Sequence, residues 1–352
     1  MRLSDFDYSL PEELIAQEPL EQRDASRMLV VNRPTQTFED SKFELLPEYL
    51  RAGDVVVVNN TRVFPARLNG QREPSGGRVE LLLTREVEPA VWEALVRPAH
   101  RLKIGARVRF GDSALSAEVV ASLAKGLKVL RFEIPGGGDE EGRLVETLLN
   151  EHGQTPLPRY IHRPSGTSVA DRERYQTVFA REKGAIAAPT AGMHFTPSVV
   201  SALHARQVGV VEITLHVGYG TFEPVRVDVV EQHQVASELF HVSEASAAAI
   251  NETRAAGGRI IAVGTTTTRA LESAVDRHGI IQAGGGETDL TITPGYNFRI
   301  TDVLLTNFHL PRSSLLLLVA AFAGRDLTLD AYRHAVAALY RFYSYGDCMF
   351  VI

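Results

Sequence analysis

Three histidines, His194, His216 and His309, each stand where an apolar run gives way to glycine, threonine or asparagine. Neutral imidazole near pH 7 suits proton transfer. A lone histidine is usually structural, but three at corresponding positions after strand-like runs suggest a shared chemical task. None is part of an HExxH pattern, and the single cysteine, Cys348, offers no partner for a Cys-based zinc site, so a metal centre is not expected. A second candidate is GTTTTRALES (Gly264–Ser273). Backbone N–H groups and hydroxyls at a helix start bind phosphate or carboxylate, and Arg269 adds a charge. Helix capping alone would account for one threonine of the four. GYG (Gly218–Gly220) faintly resembles a nucleotide-binding glycine loop but lacks the third glycine. RFYSYGD (Arg341–Asp347) offers Tyr343 and Tyr345 for stacking on a base or a cation, against the ordinary alternative of core packing. Its Asp347 is either a turn residue or a working carboxylate.

The surrounding text says how these groups are positioned. AIAAP (Ala185–Pro189) reads as a buried strand, Ser198–Gln207 as a helix and Val208–Val217 as the next strand, a βαβ unit. The pattern recurs in Arg259–Gly264, with Thr265–Arg269 as its polar end, and in Asp302–Thr306, with Asn307–Ser313 as its polar end. Val55–Leu68 begins as a buried strand and releases Asn59, Asn60, Thr61 and Arg62. In open α/β sheets, ligands bind beyond the carboxyl ends of strands, so these residues should meet on one rim if the strands are parallel neighbours. The glycine run Gly284–Gly286 follows no strand and reads as loop. Ser9–Pro19 carries a helix-start signature, Phe43–Asp54 reads as a helix broken at Pro47, and Arg27–Asn32 as a strand.

Between Arg67 and about Ile134 helical periodicity disappears and short alternating strands replace it, as in a small barrel or sandwich. Ile134–Arg143 reads as a flexible return. The expected architecture is an α/β main domain, residues 1–62 plus 144–352, with a small antiparallel β-barrel, residues 63–143, inserted into it. The insert holds a charge anomaly. From Arg97 to Arg131 there are eight basic residues (Arg97, Arg101, Lys103, Arg107, Arg109, Lys125, Lys128 and Arg131) against Asp112 and Glu118, while the 352-residue chain has a net charge of −6. Such a face suits a phosphate backbone, and is otherwise a solvated sheet surface. The composition, 44% hydrophobic and 23% charged, is that of an ordinary folded protein, and the acidic, polar N-terminus is no signal peptide. The longest apolar run, Leu315–Ala323, is too short to span a bilayer. A cytoplasmic location is expected.

The same motifs carry a family resemblance. VVVVNNTRVFPARL, APTAGMHFTP, LHVGYGTFEPV, GTTTTRALES, PGYNF, LLTNFHLPRSSLL and YRFYSYGD, in order from about Leu14 to the C-terminus, resemble the S-adenosylmethionine:tRNA ribosyltransferase-isomerase family of the queuosine pathway. The resemblance implies an α/β domain with an inserted barrel. It implies S-adenosylmethionine as co-substrate and ribosyl donor, with no metal. The acceptor is 7-aminomethyl-7-deazaguanine at the wobble position of a tRNA with a queuosine-type anticodon, the product is epoxyqueuosine-tRNA, and adenine and methionine are released. A monomer that uses no membrane is expected. Within this reading His194 and His309 are candidates for acid and base, with Asp347 as a further catalytic carboxylate. Thr190, His216, Gly218, Thr221, Thr265, Thr266, Arg269, Glu272, Asn307 and Tyr345 are expected to bind substrate. Arg97, Arg101, Lys103, Arg107 and Arg109 are expected to bind tRNA. The chain departs from the family pattern at Val235 and Ala236, where a methionine and a second histidine are usual, at Thr291, where an aromatic is usual, and at Arg159, where a proline is usual. Two other readings stay open: an S-adenosylmethionine-dependent RNA methyltransferase, which would release S-adenosylhomocysteine, and a tRNA-binding protein without turnover.

Overall fold

The structure, a computed structural model, describes residues 1–111, 115–134, 141–164, 166–222 and 225–352, without the side chains of Lys125, Glu141, Leu144, Leu148, Thr221 and Phe222. Asp112 and most of the expected return segment Ile134–Arg143 lie outside the described residues.

Nine strands form one mixed sheet. Their spatial order is Gly284–Thr288, Glu238–Val242, Gly209–Leu215, Val55–Asn59, Ile260–Val263, Val303–Asn307, Cys348–Val351, Arg27–Asn32 and Thr37–Lys42. The four from Gly209–Leu215 to Val303–Asn307 are mutually parallel. Val55–Asn59, Ile260–Val263 and Val303–Asn307 are buried throughout because both faces are covered, while Gly209–Leu215 carries Glu212 and is buried only from Ile213. Val55 and Val57 pack with Ala270 and Leu271 of the helix Gly264–Ala274. Val56 and Val58 point the other way, against Val199 and Leu203 of the helix Pro197–Ala205. Because these four strands are adjacent and parallel, Asn59, Leu215, Val263 and Asn307 end on one rim, as the sequence pattern predicts.

Three expected elements differ. Ala185–Pro189 is buried, but only Ala185 is strand. The strand Glu182–Ala185 pairs with Thr61–Val63 in a separate two-stranded sheet and adds nothing to the main one. Gly284–Thr288 is an edge strand rather than a loop, antiparallel to Glu238–Val242. The glycines hide the strand signal, yet a Cβ on Gly286 would sit 3.2 Å from the Phe240 ring, so the strand passes where a side chain would crowd. Ser9–Pro19 holds only the short 3-10 turn Glu12–Leu14. Its backbone is spent elsewhere: Leu14 O accepts from Phe342 N at 2.7 Å and Ala16 N donates to Phe342 O at 3.2 Å.

The insert is a closed six-stranded antiparallel barrel of Arg67–Arg72, Gly77–Glu88, Val91–Arg97, Arg107–Arg109, Ser116–Ser122 and Leu127–Glu133. Alternate residues, among them Leu81, Leu83, Val96, Leu130 and Phe132, fill its interior. The helix Glu141–His152 lays Val145 and Leu149 on that same core. No helix among the described residues is long and apolar enough to cross a membrane.

Candidate active site

Beyond the ends of the strands Ile260–Val263 and Val303–Asn307 lies a cavity of about 60 Å³. The helix Gly264–Ala274 starts without a connecting loop, because Gly264 takes φ +89°, where a side chain would be strained. Thr265–Thr268 are therefore the first turns of a helix and not a polar loop. The N-cap position is Val263, which supplies no side-chain cap, and Gly264, Thr265 and Thr266 of the first turn line the cavity. Thr190, Thr265, Thr266, Asn307 and His309 all line it, opposite Tyr160, Tyr175 and Tyr343. Asn307 Nδ2 donates to Tyr343 O at 2.9 Å, and its buried side chain also meets the His194 ring.

His309 is held from both sides of its backbone. Its N–H donates to the Tyr332 hydroxyl at 3.1 Å, and its carbonyl accepts from the Tyr8 hydroxyl. Its Nε2 is 2.9 Å from Thr306 Oγ1. Burial lowers its pKa to about 3, so the ring is neutral at physiological pH.

His194 does not share that cavity. It faces a neighbouring one of about 30 Å³ with Arg23, Ser26 and Tyr345, and Ser344 lines both. Its Nδ1 is 2.7 Å from Ser26 Oγ, and Ser26 donates to Arg23 O at 3.1 Å. Ser26 Oγ is thus shared between His194 Nδ1 and Arg23 O, and the Asn307 side chain hydrogen-bonds the His194 ring as well. Burial first, then Arg23 and Arg341, lowers its pKa to about 4, with the Asn307 amide opposing the shift. The Tyr345 hydroxyl is also buried without a partner, and burial raises its pKa.

His216 faces a third space, a cleft of about 1160 Å³ between the barrel and the sheet. Its Nδ1 is 2.8 Å from Thr61 Oγ1, and burial lowers its pKa. The ring fits because residue 184 is glycine: a Cβ there would be 2.8 Å from it. Gly218 N–H donates to Glu238 Oε1 at 2.8 Å, and the other Glu238 oxygen is paired with Arg269. Arg269 also donates to Leu290 O at 2.9 Å and Thr288 O at 3.2 Å, so its charge is committed away from the helix start. From the barrel side come Phe64 and Trp92, ring centroids 5.4 Å apart, and Glu86, whose pKa is raised by burial and by Glu146. Val235 and Ala236 line this cleft, and Thr291 Oγ1 accepts from Val235 N at 3.1 Å. Three departures from the family pattern thus form one patch. Sequence reasoning passed over Glu238 and Trp92. The available signal was a glutamate beginning the short run ELFHV and a lone tryptophan in a strand.

Two expected site residues serve as anchors. Glu272 accepts from the N–H groups of Arg299, Ile300 and Thr301 at 2.9, 3.2 and 3.0 Å. Asp347 accepts from Arg27 N and Arg341 N, both at 2.8 Å, and burial raises its pKa. Neither lines any of the three cavities. The side chain of Thr221 lies outside the described residues.

The basic stretch is less basic in space than in sequence. Arg107 meets Glu133 at 2.5 Å and Glu118 at 3.5 Å, and Arg109 meets Glu73 at 3.8 Å. Lys128 is buried, donating to Ser122 Oγ at 2.7 Å. Arg97, Arg101 and Lys103 have no ion pair among the described residues. They follow one another at the end of Val91–Arg97, the end away from the cleft-lining Trp92 and Glu93.

A family model described as "Queuosine biosynthesis protein" matches residues 3–351. Two relatives named S-adenosylmethionine:tRNA ribosyltransferase-isomerase, from Symbiobacterium thermophilum and Pelotomaculum thermopropionicum, are 51% and 48% identical over 352 residues, 100% of this chain and of each relative. A solved structure of S-adenosylmethionine tRNA ribosyltransferase from Thermotoga maritima is 37% identical, with a TM-score of 0.56 over 99% of this chain and 100% of that one.

Proposed function

The chain belongs to the queuosine biosynthesis protein family, and on that premise we propose that it is an S-adenosylmethionine:tRNA ribosyltransferase-isomerase. It transfers and isomerises the ribosyl group of S-adenosylmethionine onto 7-aminomethyl-7-deazaguanine at the wobble position of tRNA. The products are epoxyqueuosine-tRNA, adenine and methionine. The α/β part, residues 1–62 with 144–352, carries the chemistry and the barrel, residues 63–143, holds RNA. It works in the cytoplasm as a monomer.

The observation that carries this reading is His309, buried, neutral and fixed at a strand end on a hydroxyl-lined cavity. A sulfonium acidifies the adjoining 5′ carbon, and a neutral imidazole can accept that proton. The sulfonium stabilises the carbanion so formed, and methionine leaves in a later step, when an entering nucleophile bonds to that carbon and the C–S pair goes to sulfur. With pKa values near 3 and 4, His309 and His194 both start as proton acceptors. The proton that helps adenine depart is therefore one that a histidine has just taken up, not one held at rest. The cleft has the room for a nucleoside that the small cavities lack. A methyltransferase would use the Gly218–Gly220 loop for its cofactor, but the Gly218 N–H is already given to Glu238.

The test is product analysis. The protein is mixed with S-adenosylmethionine and tRNA carrying the aminomethyl-deazaguanine base, and nucleosides and small molecules are read by mass spectrometry. Free adenine, free methionine and an epoxy-cyclopentane nucleoside are expected. S-adenosylhomocysteine would overturn the assignment in favour of methyl transfer, and unchanged tRNA with intact co-substrate would overturn it in favour of a binding protein.

A further inference from the structure

The residues that follow the strand Gly209–Leu215 separate the cleft from the strand-end cavity. His216, Gly218 and Tyr219 line the cleft, while Val217 between them lines the cavity. This short segment is a wall, and its position sets how the two spaces meet. The backbone ladder to Glu238–Val242 ends at His216, whose N–H donates to Leu239 O at 2.9 Å. Beyond that point the next cleft-side N–H, at Gly218, needs another acceptor. A side chain takes over: Gly218 N–H donates to Glu238 Oε1 at 2.8 Å. Two residues on, the wall is pressed against the same strand's approach. A Cβ on Gly220 would sit 2.8 Å from the Ala236 Cβ and 3.3 Å from the Ala236 nitrogen.

A neutral amide would accept the bond from Gly218, so the choice of a buried carboxylate carries information. Glu238 is 6% exposed, and a carboxylate so buried is stable only with a counter-charge and further bonds. Arg269 supplies the charge at the other oxygen, and its remaining donors go to Leu290 O at 2.9 Å and Thr288 O at 3.2 Å. Arg269 belongs to the helix whose first turn lines the cavity. One buried network thus runs from the cavity's helix through Arg269 and Glu238 to the wall. A charge-assisted bond to a backbone N–H is shorter and stronger than a neutral one, so the wall is held firmly. Both Glu238 oxygens are engaged within the protein, so the residue acts through the wall and not on the substrate. We propose that Glu238 is a positioning residue for the transfer, with Arg269 as its counter-charge: it holds Val217 and Gly218 where a nucleoside seated in the cleft brings its reacting carbon to His309.

The inference rests on the ribosyl-transfer reading, and the experiment separates the two. Adenine release is measured in Glu238→Ala, Glu238→Gln and Gly220→Ala, with a urea midpoint for each and amide exchange at Gly218 read alongside. Glu238→Ala should lower kcat about 100-fold, the usual cost of a misplaced reacting group, and leave both KM values within about threefold. Glu238→Gln keeps an acceptor for Gly218 N–H and should return kcat to within about tenfold of wild type. Gly220→Ala pushes the wall without touching the ion pair and should lower kcat about tenfold. It and Glu238→Gln carry the test if Glu238→Ala does not fold. A less stable Glu238→Ala protein with wild-type kcat would make the residue structural only and overturn the proposal. A glutamine variant as slow as the alanine one would put the charge on the substrate itself and overturn action through the wall. If the wild-type protein releases no adenine, the ribosyl-transfer reading has failed, and exchange at Gly218 still decides the hold on the wall. Faster exchange in Glu238→Ala with protection kept in Glu238→Gln supports it, and equal exchange in all three proteins overturns it.

Discussion

The strand-end cavity and the cleft beside it are built by opposite means. The cavity is small and narrow, and its polar lining is hydroxyls, an amide and neutral imidazole. It comes from the ends of adjacent parallel strands, where each motif follows its own strand by a residue or two. The cleft is wide, and carboxylates and cations crowd its walls, most of them in pairs such as Arg85 with Glu93 and Lys183 with Glu146. It comes from the barrel, the helix Glu141–His152 and the sheet edge, segments far apart in sequence. The difference teaches where strength and where adaptability reside. Groups on rigid strand ends are held to fixed geometry and lose water, so a neutral base there is effective. Groups across a domain boundary can accommodate something as large as a nucleoside in tRNA, but their charges stay partly solvated.

The sharpest way to break this contrast is to remove one histidine from each side. His309→Ala should lower adenine release about 10³-fold, within the usual span for a general base, while tRNA affinity is unchanged. His216→Ala, on the cleft side, should cost about tenfold and act through KM. Equal losses in kcat would mean that the cleft shares the chemistry, and near-wild-type turnover in His309→Ala would remove that residue from the mechanism.

Glu238 and Arg269 tie the two regions together, since the arginine is on the cavity's helix and the glutamate faces the cleft. Side-chain exposures of 11% and 4% make this a buried pair. Removing one partner strands the other charge, so Arg269→Ala should destabilise by about 3–5 kcal/mol in urea unfolding. Adding Glu238→Gln should return a good part of that. If the double variant is no more stable than the single one, the arginine's two carbonyl bonds at Thr288 and Leu290 matter more than the ion pair.

Sequence alone made the cavity legible and the cleft illegible, for a physical reason. Val55–Asn59, Ile260–Val263 and Val303–Asn307 are strands buried on both faces, so their composition alone marks them, and the residues after them belong to one rim once the strands are parallel. What failed was whatever depended on a partner distant in the chain. Gly284–Thr288 has no side-chain signal because Phe240 occupies its space. The run Ser9–Pro19 looks helical until Phe342 takes its backbone bonds. Three histidines with similar local contexts ended in three different spaces, because the stretch before His194 is no strand of the main sheet and His216 emerges on the side opposite Val217.

The strand-end side, with His309 and His194 both buried, should also be the acid-sensitive one. The folded-state pKa values of His309 and His194, about 3 and about 4, lie below the ordinary unfolded value of about 6.5. Between those limits the unfolded chain binds more protons, so stability is complete above about pH 6.5 and is lost as pH falls. The slope is at most about 1.4 kcal/mol per pH unit for each histidine. Urea midpoints at pH 7, 5.5 and 4.5 measure it, and His194→Gln should flatten part of the decline. A decline unchanged in that variant would place the acid sensitivity elsewhere.

The smallest effect concerns the open side. Five basic residues of the barrel look equivalent in sequence, but folding divides them. Arg107 and Arg109 already face Glu118, Glu133 and Glu73, so their charge is largely answered before RNA arrives. Arg97, Arg101 and Lys103 are not answered in this way among the described residues; Arg97 stands about 17 Å along the strand from Trp92, at roughly 3.4 Å per residue, and Arg101 and Lys103 follow the strand's end. A phosphate gains most from a cation that has no carboxylate to leave. Arg101→Glu with Lys103→Glu should therefore weaken tRNA binding about tenfold and reduce the salt slope by about two, one for each lost phosphate contact. Arg107→Glu with Arg109→Glu should change affinity by no more than about threefold and leave the slope alone, because it removes ion pairs that are exposed and weak. Equal effects from the two double variants would mean that the carboxylates give way when RNA binds, and that the barrel, like the cleft, adapts to what it holds.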